Sequence, residues 1–212
     1  SGIEHLQSAG IKVFTGLLKS EAKQLNLGFF LKTKRARPMV TWKIASSADG
    51  KIETNKTSNQ WITNDISRNH GHLLRAEHDV IMTSIETVLN DNPQLNCRLP
   101  GLKSRSPIPI VLDSNLRLPF NCKLIKNKLK PWIYTQCNIS LKKKKHLEEL
   151  GLKIFTVRVT ETGQLSILEI LSHLANQGIT RVLLECGGKL AASFIKKKLI
   201  DEKFWFSAPF II

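Results

Sequence analysis

The sequence contains no apolar run that approaches the ~20 residues a helix needs to cross a bilayer. It also has no signal-peptide pattern of basic, apolar and small residues. Its 42% hydrophobic and 23% charged residues are ordinary for a globular domain and give no support to disorder. We therefore expect a soluble, cytoplasmic protein with no membrane partner.

Cysteine is scarce and scattered. The four cysteines form no C-x-x-C pair and stand at Cys97, Cys122, Cys137 and Cys186. Neither a zinc knuckle nor a disulfide framework is indicated by this spacing, and reduced cytosolic thiols fit it best.

Acidic residues are few, with 17 Asp and Glu against 32 Lys and Arg and a formal net charge of +15. Such a charge is typical either of a polyanion-binding protein or of a surface coated with lysine. The lysine runs at 142–145 and 196–198 lie on the exposed faces of predicted helices, and they lack the interleaved aromatic residues that stack on bases. We therefore expect no nucleic-acid partner, and a basic nucleic-acid-binding module stays open as an alternative.

Strand-like and helical segments alternate from Met39 to Ser207. This alternation predicts an α/β domain with a largely parallel central sheet flanked by helices. The helix predicted at 166–176 supports it, because Ile167, Ile170 and Leu174 fall on one apolar stripe together with Leu171.

The segment before residue 38 differs from the rest of the chain in its order of predicted elements. It predicts a strand at 11–18, then a helix at 20–32 with Ser20 as its N-cap. A short basic hinge follows and ends at Pro38, which is the one plausible domain boundary.

The first segment with chemical potential is the strand and loop at 40–52. Val40, Trp42 and Ile44 alternate with polar residues, which predicts that Lys43 lies on the opposite face of the strand. Asp49-Gly50 indicates a turn. An ordinary hairpin is the alternative interpretation of this segment taken alone.

The second segment is the stretch from Thr87 to Arg98, with Arg75 upstream. Asp91 precedes a proline-stiffened turn and could be a positioned carboxylate or a backbone cap. Arg75 and Arg98 are candidate anion clamps, since a guanidinium can grip a phosphate bidentately. Surface salt bridges are the alternative role for both arginines.

The third segment is an apolar strand at 182–184 followed by Glu185, Gly187 and Gly188, and then by a helix. Paired glycines allow backbone N–H groups to approach an anion, and a helix N-terminus adds a positive dipole end. This pattern predicts a pyrophosphate cradle, although it is neither G-x-G-x-x-G nor a P-loop.

In this order and spacing, the three segments resemble the reductase domain of the bifunctional riboflavin-biosynthesis deaminase/reductase family. The family's motifs stand here at 40–51, 61–63, 72–76, 79–81, 87–95, 111–114 and 185–194. The resemblance covers residues 37–209. Relatives continue with further strands beyond Ala208-Pro209, so it also implies that the C-terminal strands closing the sheet are truncated here.

The first 36 residues resemble the tail of the family's upstream zinc deaminase domain. We therefore assign residues 1–37 to the C-terminal tail of an upstream deaminase domain and a hinge, and residues 38–212 to a reductase domain. The H-x-E and P-C-x-x-C motifs of such deaminases are absent from this sequence. We expect zinc only in the upstream domain and no metal site on His70, His72 or His78.

The resemblance implies a dihydrofolate-reductase-like fold and a homodimer or larger homo-oligomer. It implies NADPH as the cofactor and hydride transfer to C1′ of the ribosylamino group of 5-amino-6-(5-phosphoribosylamino)uracil, which becomes the ribitylamino product. The alternatives are a reductase of the related diamino-pyrimidinone, dihydrofolate reductase, and a catalytically inactive fragment that serves as an assembly surface.

Site residues follow from the resemblance position by position. Asp91 and Lys43 are the catalytic candidates. The cofactor would contact Ala45, Trp61, Thr87, Asp91 and Ser114, and its pyrophosphate would lie against Gly187, Gly188, Lys189, Leu190, Ala191, Ala192 and Ser193. The phosphorylated pyrimidine substrate would lie against Asn59, Arg75, Leu95, Arg98 and Glu185.

Glu86 is unfavourable for the expected binding of a phosphorylated cofactor. It places a carboxylate near the predicted cofactor loop, where it would repel a phosphate unless it faced solvent. No single residue can be assigned from the sequence to the 2′-phosphate that distinguishes NADPH from NADH, although the basic surface favours NADPH.

Overall fold

The computed structural model describes residues 1–52 and 64–211. Seven strands form one sheet. They are β1 (Met39–Ser46), β2 (Val80–Ser84), β3 (Ile108–Leu112), β4 (Trp132–Thr135), β5 (Lys153–Thr156), β6 (Arg181–Leu184) and β7 (Glu202–Ser207). The order across the sheet is β5-β4-β3-β2-β6-β1-β7, and every neighbouring pair is parallel. The predicted α/β class and parallel sheet are confirmed.

Eight α-helices accompany these strands in the described residues. They are α1 (Gly2–Ser8), α2 (Lys19–Leu25), α3 (Leu27–Arg35), α4 (Asp65–Ala76), α5 (Ile85–Asp91), α6 (Leu141–Glu149), α7 (Ile167–Asn176) and α8 (Gly188–Lys196). Among the residues described, no helix is long and apolar enough to cross a membrane.

Serine side chains fix where four of these helices begin. Ser1, Ser84, Ser140 and Ser166 each accept a hydrogen bond from the backbone N–H three residues further on. A serine oxygen satisfies one of the N–H groups that a helix start leaves unpaired. The α7 boundary therefore agrees with the prediction to within one residue.

Alternating side chains divide the core into two layers. One face of the sheet carries Val40, Met82 and Leu184 and packs against α7 and α8, and all four residues of the predicted α7 stripe are buried there. The other face carries Ile81 and Leu183 and packs against α4, α5 and α6. The period of two along each strand thus decides which face a functional side chain can reach.

The prediction for the N-terminal segment is wrong in two places. Residues 11–16 form no strand, because Gly10 and Gly16 adopt positive φ values of 79° and 93° that break an extended run. The predicted helix at 20–32 is two helices, α2 and α3, which meet at Asn26. Ser20 does not cap α2, since its hydroxyl donates to the Glu21 carboxylate and the helix begins after Leu18.

The end of the predicted hinge is held against the sheet. Arg37 donates to both carboxylate oxygens of Asp201, at 2.6 and 2.8 Å, and Asp201 also accepts from the Val40 N–H at 2.9 Å. The ion pair is almost fully buried. It therefore attaches the chain entering β1 to the residue that precedes β7.

Helix α3 reaches the sheet through a close backbone contact at Gly28. A Cβ atom at Gly28 would lie 2.5 Å from the carbonyl oxygen of Thr180. A Cβ atom at Gly71, inside α4, would meet no atom of the described residues within 4 Å. The two glycines therefore form a matched pair, in which only the first is required by packing.

We predict that Gly28→Ala lowers the free energy of unfolding by roughly 1–3 kcal/mol, because a backbone oxygen cannot yield as a flexible side chain can. Gly71→Ala should raise it by about 0.5–1 kcal/mol through helix propensity. Urea unfolding curves of the two variants measure both changes. A Gly28→Ala variant as stable as the parent chain would show that α3 does not pack in this way.

Candidate active site

The candidate site lies at the edge of the sheet where the strands end. In a parallel sheet all carboxyl ends meet at one edge, and ligands of open α/β sheets bind there. Lys43 and Ala45 lie in the second half of β1, Thr87 follows β2, Ser114 follows β3 and Glu185 follows β6. The structure therefore brings predicted residues from four separate segments to one edge.

A paired arginine and glutamate form the centre of this edge. Arg75 Nε donates to Glu185 Oε1 at 2.9 Å, and Arg75 Nη2 donates to Glu185 Oε2 at 2.8 Å. Both side chains are largely buried, with exposed fractions of 17% and 14%. Glu185 is held in place by its backbone N–H, which donates to the Met82 carbonyl at 3.0 Å and so continues the β2–β6 pairing.

The opposite charges of Arg75 and Glu185 keep both groups ionised in spite of their burial. Burial works against the ionised carboxylate of Glu185, but the guanidinium of Arg75 outweighs it, and the pKa of Glu185 lies below its ordinary value. Burial likewise opposes the charge on Arg75, and Glu185 outweighs it, so the pKa of Arg75 is raised. Both groups are ionised at neutral pH.

Asn96 connects the pair to the second predicted anion clamp. Its carbonyl accepts from Arg75 Nη1 at 3.2 Å, and its side-chain Oδ1 accepts from Arg98 Nη1 at 3.2 Å. Arg98 is exposed and close enough to Arg75 for the two charges to repel, and burial together with this repulsion lowers the pKa of Arg98. Sequence reasoning missed Asn96, because a backbone carbonyl carries no signal in the residue type.

His72 is a further member of the cluster. It precedes Arg75 by three residues on α4, so the two side chains lie on one helix face. Its Nδ1 is buried and has no hydrogen-bond partner within the described part of the chain. Burial lowers the pKa of His72, and the charges of Arg75 and Arg98 lower it further, so the imidazole is neutral at pH 7. The i, i+3 spacing could have indicated this neighbour.

Lys43 lies on the same side of the sheet as the ion pair. Its Nζ stands 5.6 Å from the centroid of the Phe206 ring, and its charge contributes to the lowered pKa of Glu185. Val40 and Trp42 pack into the opposite layer. The predicted alternation along β1 is confirmed.

The segment predicted to cradle a pyrophosphate lies at the start of α8. Gly187 is the N-cap residue and offers no side-chain cap, so the first N–H groups of α8 can be satisfied by an anion. Just beyond the ends of β2 and β3, Thr87 Oγ1 lies 3.2 Å from Ser84 Oγ, and the Ser114 carbonyl accepts from Thr135 Oγ1 at 2.9 Å.

Some predicted residues are buried, bonded elsewhere or at the end of a helix. Leu95 is buried in the layer beneath α4 and α5, and Ala191 is a buried residue of α8 itself. Ser193 lies in the second turn of α8 and bonds to the Lys189 carbonyl and to Gln164. Asp91 is the last residue of α5. Asn59 and Trp61 lie outside the described residues.

Neither a nucleophilic thiolate at Cys186 nor a cluster of metal ligands is present in the described part of the chain. Burial raises the pKa of Cys186 to about 12, so the thiol beside Glu185 stays protonated at neutral pH. Within residues 1–52 and 64–211, no group of three or more His, Cys, Asp or Glu side chains is arranged to hold a metal ion.

The fold and this edge define a parallel α/β domain whose strand ends carry a buried ion pair, a second arginine and a helix that begins at a glycine. The RibD C-terminal domain model matches residues 38–212. The chain therefore belongs to the RibD C-terminal domain family, and the resemblance found from its motifs is confirmed. The expected dihydrofolate-reductase-like fold, with a parallel sheet flanked by helices, is confirmed as well.

Named relatives agree with this membership. The riboflavin biosynthesis protein RibD of Bacillus amyloliquefaciens is 38% identical over 212 residues, which are all of this chain and 56% of that protein. RibD of Acinetobacter baumannii superimposes with a TM-score of 0.85 at 29% identity, over all of this chain and 57% of that one.

A third relative is the Thermotoga maritima diaminohydroxyphosphoribosylaminopyrimidine deaminase/5-amino-6-(5-phosphoribosylamino)uracil reductase. It superimposes with a TM-score of 0.81 at 28% identity, over 98% of this chain and 55% of that one. The chain thus spans somewhat more than half the length of the relatives it matches.

We predict that Arg75→Met lowers the free energy of unfolding by roughly 3 kcal/mol at pH 7, because it leaves a buried carboxylate unpaired. In the parent chain the pair stabilises above the unfolded pKa of Glu, about 4.3, and the stabilisation is lost as pH falls through the lowered folded pKa. In the variant, burial alone raises the pKa of Glu185 above the unfolded value. The difference between the two chains should therefore shrink as pH falls from 7 to 4.

Urea unfolding at several pH values measures this difference. The control is Arg75→Met combined with Glu185→Gln, which removes the charge left behind and should recover part of the loss at pH 7. A double variant whose loss equals the sum of the two single losses would show that the residues do not interact.

Proposed function

We propose that residues 38–212 form an NADPH-dependent reductase of riboflavin biosynthesis. It would reduce the ribosyl group of 5-amino-6-(5-phosphoribosylamino)uracil to the ribitylamino product. The observation that carries the proposal is the buried Arg75–Glu185 pair beside Arg98 at the carboxyl edge. The reductase named for the Thermotoga maritima relative supports the same substrate.

The contacts of Arg75 and Arg98 indicate different roles for the two arginines. Three nitrogen atoms of Arg75 already donate hydrogen bonds, two to Glu185 and one to the Asn96 carbonyl. Arg98 is exposed and makes one side-chain bond to Asn96. We infer that Arg75 mainly holds Glu185 in position, while Arg98 is the principal ligand of the substrate phosphate.

Glu185 would recognise the pyrimidine ring by hydrogen bonding. Each of its oxygens accepts one bond from Arg75, and an ionised carboxylate has further lone pairs for ring N–H groups. Lys43, on the same side of β1, would donate to a ring carbonyl or polarise the developing amine. Asp91 would position or protonate the group near C1′.

The cofactor would lie across the ends of β1, β2, β3 and β6. Its pyrophosphate fits the start of α8, where Gly187 leaves backbone N–H groups for an anion. Ala45, Thr87 and Ser114 would line its path. NADPH supplies the hydride, so the protein's part is to bind, to orient and to exclude water.

The remaining assignments concern the longer protein. Residues 1–37 would be the C-terminal tail and hinge of an upstream deaminase domain, where zinc would be held. The protein would be cytoplasmic and form a homodimer or larger homo-oligomer. The reductase of the diamino-pyrimidinone is the alternative, and the two substrates can be compared directly.

The test follows NADPH oxidation by its absorbance with each pyrimidine as substrate. We expect turnover of the deaminated uracil compound. Arg98→Ala should lower kcat/KM by about 10- to 100-fold, the range for a lost bond to a charged group. Most of the change should fall on KM, because the phosphate is bound alike before and during reaction.

Arg35→Ala is the matched control, because Arg35 is an exposed arginine at the end of α3, before β1 enters the sheet at its amino edge. It should leave kcat/KM unchanged. A folded chain that oxidises no NADPH with either pyrimidine would contradict the proposed function. Preference for the diamino-pyrimidinone would reassign the substrate.

A further inference from the structure

Glu86, the residue expected to disturb the cofactor loop, does not stand alone. Its carboxylate accepts a hydrogen bond from Arg117 Nη2. Glu86 lies in the first turn of α5, immediately after β2, and Arg117 lies in the loop after β3. The repulsive carboxylate predicted from the sequence is therefore paired with a cation.

The loop that carries Arg117 is firmly built. Leu116 and Leu118, on either side of Arg117, are both fully buried. The buried carboxylate of Asp113 accepts from the Leu118 N–H at 2.8 Å, and the Asp113 carbonyl accepts from the Leu116 N–H at 3.1 Å. With both neighbours fixed inward, Arg117 projects outward at the carboxyl edge.

The pair bridges the ends of two adjacent strands. β2 and β3 are neighbours up to Ser84 and Leu112, and the pair joins the elements that follow them. Thr87 is adjacent to Glu86, and Ser114 precedes Arg117 by three residues. A dinucleotide that contacts Thr87 and Ser114, as in the proposed function, must pass beside this pair.

Arg117 can exchange Glu86 for another anionic partner. The Arg117 and Glu86 side chains are 44% and 58% exposed. Exposed ion pairs contribute little to stability, so Arg117 can leave Glu86 at small cost. A phosphate dianion is the stronger partner, because it accepts two charge-assisted bonds from one guanidinium.

We propose that Arg117 binds the 2′-phosphate of the adenosine half of NADPH, and that Glu86 holds Arg117 in place until the phosphate takes over. Glu86 then weakens NADPH binding by competing for the cation, and its carboxylate can accept the 2′-hydroxyl of NADH instead. The pair therefore sets the preference between the two cofactors. This inference rests on the proposed function.

The experiment measures the dissociation constants of NADPH and NADH for the 212-residue chain, by quenching of tryptophan fluorescence. Arg117→Ala should weaken NADPH binding by about 10- to 100-fold, as expected for loss of a bond to a charged group. NADH binding should change by less than about twofold, because it lacks the phosphate. Arg35→Ala, the same change at the amino edge of the sheet, should affect neither.

Glu86→Gln provides a result that misfolding cannot imitate. With the competing carboxylate removed, NADPH binding should strengthen by about two- to fivefold, the range of an exposed ion pair. NADH binding should not strengthen. In the Arg117→Ala background, Glu86→Gln should strengthen NADPH binding less than it does in the parent chain, because no guanidinium is left for Glu86 to release.

Equal weakening of NADPH and NADH by Arg117→Ala would overturn the inference, and so would unchanged NADPH binding. Both results require that the parent chain binds NADPH. A parent chain that binds neither nucleotide would instead contradict the proposed function, so the two failures are distinguishable.

Discussion

The bidentate contact between Arg75 and Glu185 is the interaction on which the rest of the site depends. Its partners are 110 residues apart in the chain and come from α4 and from the end of β6. A buried carboxylate without a cation would become protonated, and a buried guanidinium without a carboxylate would be strongly destabilising. Once paired, they leave Arg75 able to hold the Asn96 carbonyl, and Asn96 in turn contacts Arg98. The polar edge is therefore one connected network.

Most of the sheet could be predicted from the sequence, because strands and helices alternate with clear periods. The apolar stripe of α7 encodes that helix locally, and the structure reproduces it. The one N-cap predicted from a serine, Ser20, is not formed, because its hydroxyl bonds to Glu21 instead. The failure at residues 11–18 has a physical cause. Apolar composition favours a strand, but strand formation needs a neighbour to pair with, and glycines at 10 and 16 turn the chain away.

The sequence indicated which residues gather at the carboxyl edge of the sheet, and much less which contacts they make there. Motif spacing indicated Lys43, Arg75 and Glu185, because each follows from its own strand or helix. It could not show that Arg75 is largely committed to Glu185, that Leu95 is buried, or that Glu86 pairs with Arg117. These facts depend on side chains from distant segments, which meet only after the sheet has formed.

An NMR titration of the Glu185 carboxyl carbon, in the parent chain and in Arg75→Met, measures the effect of this ion pair directly. We expect a pKa below the ordinary value of about 4.3 in the parent chain and above it in the variant. An ordinary or raised pKa in the folded parent chain would show that Arg75 does not hold the carboxylate at the centre of the site.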